Sequence, residues 1–419
     1  MANILPYQFK MIALTIAPMP TESARSSAGS DYDPTTAETF DSVHEDFARL
    51  RAHCPVAHSN AFDGFWAVTR YQDILNILLD PDTYITSVRN VVPGSAATGR
   101  RPPLHLNPPE HTPYRRAIDR ALSPSRIAAI EPATRRIAGD LAKGLVTRGE
   151  ADLVEHFSSP LPAFVFGEWM GLEERQTRIL WDTARAYVKA WESFDKQSVA
   201  AVGAELMEMA VELIAQRRAN PRDPTVDPTS SLLAARDASG NPFPDELLAG
   251  CVRQVLVVGL VAPPIFLGSI AVHLARDRDL QQQLRNDLSL IPDALEEFLR
   301  LYTPYRGFAR TARHEVTIGG RTIKPAEPIA LVYASANRDE SIFPLPNEFI
   351  LRRPNISQHL AFGRGAHMCA GTALARQQLR IALEEILKNT SHFELSGEIR
   401  VSGMPEVGPI YVPLRLTAP

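Results

Sequence analysis

Apolar residues recur every three or four positions over most of the chain and alternate only in short runs. Val43 to Arg51 reads as a helix and Phe65-Trp66-Ala67-Val68 as a strand. From Thr112 to about Arg218 the pattern is helical, with Thr112 as a candidate N-cap and Pro113 at the first helical position. A strongly apolar stretch predicts one long helix from about Asp245 to Arg276, and helices continue to Leu301. The period then changes. Val316 to Ile318, Arg321 to Ile323 and Ile329 to Tyr333 predict short strands around a Gly319-Gly320 turn. A last helix is expected from about Cys369 to Leu387, with Ala375, Leu379, Ala382, Leu383 and Ile386 as its apolar stripe. The predicted class is mainly α with a small β portion, in one continuous domain over residues 36–419. Residues 1–35, rich in Ser, Pro and Thr, read as a flexible leader, with order expected from about Phe40. Residues 88–104 form a long loop, and loops of that length in a compact domain are usually functional or mobile. Residues 219–244, with four prolines between Pro221 and Pro242 and another at Pro244, read as a connector.

Composition narrows the classes. Of 419 residues, 45% are hydrophobic and 22% charged, and the formal net charge is −4. That is ordinary for a globular protein and carries no basic excess of the kind that binds nucleic acid. No stretch reads as the roughly 20 apolar residues that span a bilayer, so no membrane anchor is expected. Three scattered cysteines, Cys54, Cys251 and Cys369, make no disulfide framework and fit a reducing compartment. The expected location is cytoplasmic.

The strongest chemical signal is Phe362-Gly363-Arg364-Gly365-Ala366-His367-Met368-Cys369-Ala370-Gly371. Gly363 and Gly365 permit a tight turn, and small residues let a flat cofactor approach the backbone. Cys369 is placed at the start of a helix, where the dipole and free N–H groups favour a thiolate. A thiolate can hold iron and donate electron density to it. An isolated cysteine in such a place is more often a buried, inert thiol; the spacing of glycines, histidine and cysteine argues otherwise.

This motif, FxxGxHxCxG, resembles the cytochrome P450 family, and the resemblance runs from about residue 40 to 415. It implies the P450 fold, with haem b between a long distal helix and the helix that follows the Cys loop. Cys369 is then the iron ligand, and Phe362, Gly363, His367 and Gly371 line the cofactor. Glu297-Phe298-Leu299-Arg300 matches the family's ExxR element, and Arg353 is the third member of that structural network. Residues at i and i+3 share a helix face, so Glu297 and Arg300 can pair. His111, Arg115, Arg310 and His367 resemble the residues that clamp the haem propionates, a role suited to cations and N–H donors.

One element departs from the family. Aligned on the distal helix, Gly259-Leu260-Val261-Ala262-Pro263-Pro264 puts Val261 where the family has an acid and Ala262 where it has threonine. Those side chains cannot relay protons. Pro263 and Pro264 remove hydrogen bonds to the Gly259 and Leu260 carbonyls, at a cost of about 3 kcal/mol each in a helix interior. The helix is expected to kink or open there. Freed carbonyls holding ordered water, or a polar group on the substrate, are the expected replacement for the relay.

The resemblance lines the substrate pocket with the 88–104 loop, the helices around 165–200, the distal helix and residues 304–309, including Tyr305, Arg306 and Phe308. Arg306, and arginines of the loop (Arg89, Arg100, Arg101), would suit a carboxylate or phenolate, although Arg100 and Arg101 read better as solvated. Tyr187, Val188 and Trp191 with Ala184 read as packing. The expected reaction is oxidation of a small organic molecule, aromatic by preference, by hydroxylation or O-dealkylation. Molecular oxygen would be the oxidant, and a separate ferredoxin and ferredoxin reductase the electron source. Arg116, Arg120, Arg364 and Arg376 are candidates for the ferredoxin-facing surface. Peroxide-driven oxidation, or atypical tailoring such as coupling or desaturation, is an alternative. A haem-binding sensor or carrier is the alternative from another class. A hydrolase using Cys369 and His367 is disfavoured, because their spacing leaves no oriented base.

Overall fold

The computed structural model describes residues 30–419 apart from 37, 95–98 and 194. About 53% of it is helical and 12% strand, as the periodicity implied. The N-terminal part carries α1 (Ser42–His53) and α2 (Tyr71–Leu79). A helical body follows: α3 (His111–Ala121), α4 (Pro124–Arg148), α5 (Pro160–Met170), α6 (Glu174–Glu192) and α7 (Lys196–Ala219). The connector holds the short α8 (Pro228–Leu233), whose first turn is capped by Asp227. Then come α9 (Asp245–Val258), α10 (Ala262–Arg276), α11 (Arg278–Asn286), α12 (Ile291–Leu301), the one-turn α13 (Tyr333–Ala336) and α14 (Thr372–Asn389).

Several sequence boundaries move. Helix α3 begins at His111, so Thr112 lies inside its first turn rather than capping it. Helix α14 begins at Thr372, which leaves Cys369 in the loop before it. The packed chain also starts earlier than Phe40. Tyr32 is buried, and the Asp31 N–H donates to the His58 carbonyl at 2.7 Å. The remainder of the predicted leader, residues 1–29, lies outside the described residues.

The sheet has five strands in the order Val56–Ser59, Phe65–Val68, Pro328–Leu331, Ala309–Ala312, Tyr84–Ile85. All neighbours are antiparallel except Phe65–Val68 with Pro328–Leu331, which run parallel. Every residue of Phe65–Val68 and Ala309–Ala312 is buried, so both faces of the sheet are covered there. The hairpin of Val316–Ile318 and Arg321–Ile323 turns on Gly319 and Gly320, both at positive φ as such a two-residue turn requires.

The long apolar stretch is two helices. Helix α9 stops at Val258 and α10 starts at Ala262, so Pro263 and Pro264 fall in the first turn of a new helix. First-turn N–H groups have no acceptor within the helix, and proline there forfeits nothing. The break thus removes the roughly 3 kcal/mol penalty each proline would carry in a helix interior. By length and apolarity Asp245–Arg276 also passes for a membrane span, which the sequence reading did not anticipate. Its most apolar window is 82% buried inside the molecule, so α9 and α10 are core helices of the fold.

Helix α14 lies along α4 with Leu379, Ala382, Leu383 and Ile386 in the main core. Beside it, α12 carries the deepest ion pairs. The Glu297 carboxylate accepts from Arg300 Nη2 at 2.7 Å and Nε at 2.9 Å, and from Arg353 Nε at 3.0 Å and the Ile350 N–H at 3.0 Å. Arg300 also donates to the carbonyls of Asn337, Pro346 and Glu348. Glu297 and Arg300 are fully buried and Arg353 nearly so, and each is saturated with partners. Arg352, by contrast, is exposed and meets only Asp293. Removing one member of such a buried group costs far more than breaking an exposed pair. Chemical denaturation should show Glu297→Gln losing about 3–5 kcal/mol, while Asp293→Asn changes stability by roughly 0.5 kcal/mol or less; equal, small losses for both would disprove the structural role assigned to Glu297.

Candidate active site

The loop that ends in Cys369 is shaped by backbone hydrogen bonds. The Gly363 N–H donates to the Leu360 carbonyl and the Cys369 N–H to the Phe362 carbonyl, both at 2.9 Å. Gly365 has φ +71°, and a Cβ there would come 2.3 Å from the Leu78 carbonyl oxygen, so only glycine fits against α2. Thr372 Oγ1 donates to the Cys369 carbonyl at 2.7 Å, fixing the step into α14.

The Cys369 side chain is open to a water-sized probe, yet protein surrounds it deeply enough for burial to push its thiol pKa up. A group both accessible and desolvated is placed to take a ligand. The Gly371 N–H, Thr372, Arg115 and Arg376 oppose that rise. A metal cation at the sulfur would complete the deprotonation.

Four nitrogen-bearing side chains converge beside this loop. The rings of His111 and His367 are 4.5 Å apart at 63°. His111 Nε2 is buried without a hydrogen-bond partner. Arg310, 6% exposed, donates to the carbonyl of Ala309 at 2.9 Å. Arg115 pairs with Asp119 at 2.8 Å and donates to the carbonyls of Ala366 and Met368. Burial, with Arg310, His111 and Arg115 nearby, holds His367 down to about 3; burial and Arg115 hold His111 down to about 4. Two arginines and two neutral histidines, one with an orphaned ring nitrogen, beside an accessible thiol fit a flat, dianionic, metal-bearing ligand. Haem is such a ligand: Cys369 would take its iron, and His111, Arg115, Arg310 and His367 its carboxylates.

The helix break borders the same region. Leu260 shares an apolar cluster with Ala370 and Leu374. Ala262 and Pro263 are partly accessible, whereas Val261 and Pro264 are buried. At Gly259 a Cβ would come 2.3 Å from the Phe166 ring, so glycine lets α5 close against the break.

Tyr305 and Phe308 form an aromatic pair with centroids 4.3 Å apart, and Tyr333 stands 6.0 Å beyond Phe308. Tyr333 in turn lies against Gly363 of the Cys loop. The Tyr305 hydroxyl is held well above its ordinary pKa by burial, with Glu406, Tyr187 and Cys369 adding to the rise. Arg306 does not join this wall. It is 1% exposed, its Nη1 meets Glu38 at 2.7 Å and its Nε donates to the Glu406 carbonyl at 3.0 Å. The expectation that it anchors substrate is therefore corrected: its charge is spent tying Tyr32 and Glu38 to the body.

Spacing gave no sign of three further features. Glu406 is a buried carboxyl raised to about 7 by burial, against the pull of Arg306. Arg253 is an almost fully buried cation on α9. Glu296 binds Arg376 through Oε2 at 2.8 Å and meets His359 at 3.0 Å, and Arg376 stacks 4.8 Å over the Phe362 ring. Arg376 is thus neutralised within the fold. Arg116 and Arg120 remain exposed, and Arg364 is spent on the Ser357 and Gly363 carbonyls.

A thiol, a propionate-type clamp and a broken core helix define a haem-thiolate protein. The comparisons agree. The cytochrome P450 family model matches residues 269–401. Linalool 8-monooxygenase of Pseudomonas putida is 32% identical over 88% of this chain and 96% of its own length. Cytochrome P450 130 of Mycobacterium tuberculosis is 31% identical over 93% of this chain and 98% of its own. The solved structure of cytochrome P450 CYP109Q5 from Chondromyces apiculatus superposes with a TM-score of 0.81 at 27% identity, covering 93% and 98% of the two chains. The chain belongs to the cytochrome P450 family, and it is an oxidoreductase with a haem cofactor.

Burial pushes Glu296 up, but its bonds to Arg376 and His359 win and bring it to about 2, below the ordinary 4.5. A carboxylate with a depressed folded pKa adds stability that is complete above the unfolded value and disappears as pH falls through the folded one. The contribution is about 1–3 kcal/mol after screening at this partly exposed pair. Urea midpoints should therefore separate wild type from Glu296→Gln at pH 5, and the gap should shrink steadily towards pH 3. A gap independent of pH over that range would contradict the ionic role of Glu296.

Proposed function

We propose that this enzyme is a monooxygenase acting on a small aromatic substrate by hydroxylation or O-dealkylation, with haem b, molecular oxygen and a separate ferredoxin and ferredoxin reductase. The observation that carries the aromatic reading is the Tyr305–Phe308–Tyr333 ladder, which ends against Gly363 of the Cys loop. Offset and tilted rings at these separations favour another aromatic ring beside them by about 0.5–1.5 kcal/mol beyond area burial. Linalool 8-monooxygenase is named for a different kind of substrate, so the test must offer both.

Haem, when bound, supplies the oxygen-activating chemistry. The chain's own part is to hold it, exclude bulk water and manage protons. Cys369 donates its sulfur from a loop that Gly365 and the Phe362 carbonyl keep in one shape. His111, Arg115, Arg310 and His367 would neutralise the carboxylates. Val261 and Ala262 offer no proton-carrying side chain at the break. The reading here is that the Gly259 and Leu260 carbonyls, which Pro263 and Pro264 leave without their usual i+4 N–H donors, hold ordered water in that place.

Two measurements test these points. Spin-state titration of the ferric holoenzyme should give high-spin shifts with benzoates and aryl ethers and none with a terpene alcohol or a macrolide; the reverse pattern sinks the aromatic reading. Pro263→Ala with Pro264→Ala should restore a continuous helix and reduce the share of electrons that ends in product rather than peroxide by about tenfold, the scale of a general acid–base contribution. Unchanged coupling would remove water at the break from the mechanism.

A further inference from the structure

Two arginines packed against α9 meet no carboxylate among the described residues. Arg253 projects from α9 and is 5% exposed. Its Nε donates to the Gly203 carbonyl of α7 at 3.0 Å, and its Nη1 is buried with no hydrogen-bond partner. The loop carrying Arg101 is pressed onto the same helix. A Cβ at Gly250 would come 2.1 Å from the Arg100 carbonyl oxygen, and Gly250 shares a helix face with Arg253, three residues on. Arg101 Nη2 lies 3.1 Å from His105 Nε2, whereas Arg100 is exposed. Among the described residues neither Arg101 nor Arg253 makes an ion pair.

The electrostatics agree with the geometry. Burial first, then Arg101, pushes the Arg253 guanidinium down to about 10. Burial lowers Arg101 as well. The group that offsets either shift is the Tyr187 phenol, not a carboxylate. His105, held down to about 3 by burial and the arginines, stays neutral and accepts from Arg101. Buried charges in folded proteins are paired, because an unpaired one is costly. Arginine's planar fork is matched to a carboxylate.

We propose that Arg253 and Arg101 form an anion subsite that holds the carboxylate of the substrate at the end of the cleft remote from Cys369. The proposal rests on the aromatic reading above and narrows it to aromatic acids. Arg253 stands six residues before Gly259, about 9 Å of helix rise from the break. An acid anchored there spans that distance with one ring and a short para substituent, which places the substituent at the reacting end. This subsite replaces the anchoring role expected of Arg306.

The test uses the haem-loaded enzyme and matched 4-alkylbenzoates and 4-alkylbenzamides, with binding followed by calorimetry and by the ferric spin state. In the wild type the acids should bind at least about tenfold more tightly than the amides, the scale of one charge-assisted contact. Arg253→Gln should bring the two within about twofold, and Arg101→Gln should narrow the gap. Arg253→Lys, which keeps charge and discards the fork, guards against a folding defect and should retain part of the preference. If acids and amides bind equally to the wild type, the subsite is disproved while the aromatic reading stands. If neither series binds and a terpene alcohol does, both fail. An acid preference that survives Arg253→Gln and Arg101→Gln also overturns the assignment.

Discussion

The site depends on one buried carboxylate. Glu297 gathers Arg300, Arg353 and the Ile350 N–H at the centre of the proximal side, and Arg300 passes the constraint on through the Asn337 carbonyl. Asn337 then accepts the Leu360 N–H on its Oδ1 at 2.6 Å, and the Leu360 carbonyl accepts the Gly363 N–H. Four residues therefore connect an ion pair on α12 to the turn that aims Cys369. Each polar group in that path has its partner, so the loop has one low-energy arrangement and little freedom to drift. Glu296, next in sequence, points the other way and holds Arg376 over Phe362. Successive residues of one helix thus brace the Cys loop from two sides.

The opposite wall follows a different logic. A continuous helix through residues 245–276 would carry two prolines in its interior. Ending α9 at Val258 and starting α10 at Ala262 places both where a missing N–H costs little. The same break admits the Phe166 ring against Gly259. On the proposed function, the main chain at the break supplies the polar chemistry that Val261 and Ala262 cannot supply as side chains. Rigidity on the thiol side and a helix opening on the other are consistent with a fixed cofactor and an adjustable substrate space.

How much of this was legible depended on whether a residue's role is local. Cys369, the glycines of its loop, Glu297, Arg300 and Arg353 stand in fixed spacings that reflect short-range geometry, and the structure finds them together. The proline break was legible because proline's missing N–H is a property of the residue itself. Arg306 was misread because its partner, Glu38, lies 268 positions away in sequence, just past the predicted leader. Arg253 was passed over for the same reason: on an apolar helix it looks like an isolated charge, and only the packing of α7 and the 100–105 loop shows that it is buried. Helix ends shifted by one to three residues at Thr112 and Cys369, because capping depends on tertiary contacts as well as on the capping residue.

The pattern of charge links these points. His111, Arg115, Arg310 and His367 crowd one side of the cleft, and Arg101 and Arg253 another, while the chain as a whole carries a net charge of −4. Asp119 pairs with Arg115 at the first cluster, and other carboxylates are engaged elsewhere: Glu297 with its arginines, Glu38 with Arg306, Glu296 with Arg376. Burying cations without local acids works against folding of the bare chain and in favour of any ligand that brings negative charge to them. On the proposed clamp, a dianionic cofactor would satisfy the first cluster. On the proposed subsite, a monocarboxylate satisfies the second, and its binding energy is drawn from a cost the fold has already met. That arrangement selects by charge as well as by shape: a neutral molecule of the same outline would leave the guanidinium of Arg253 as desolvated as before.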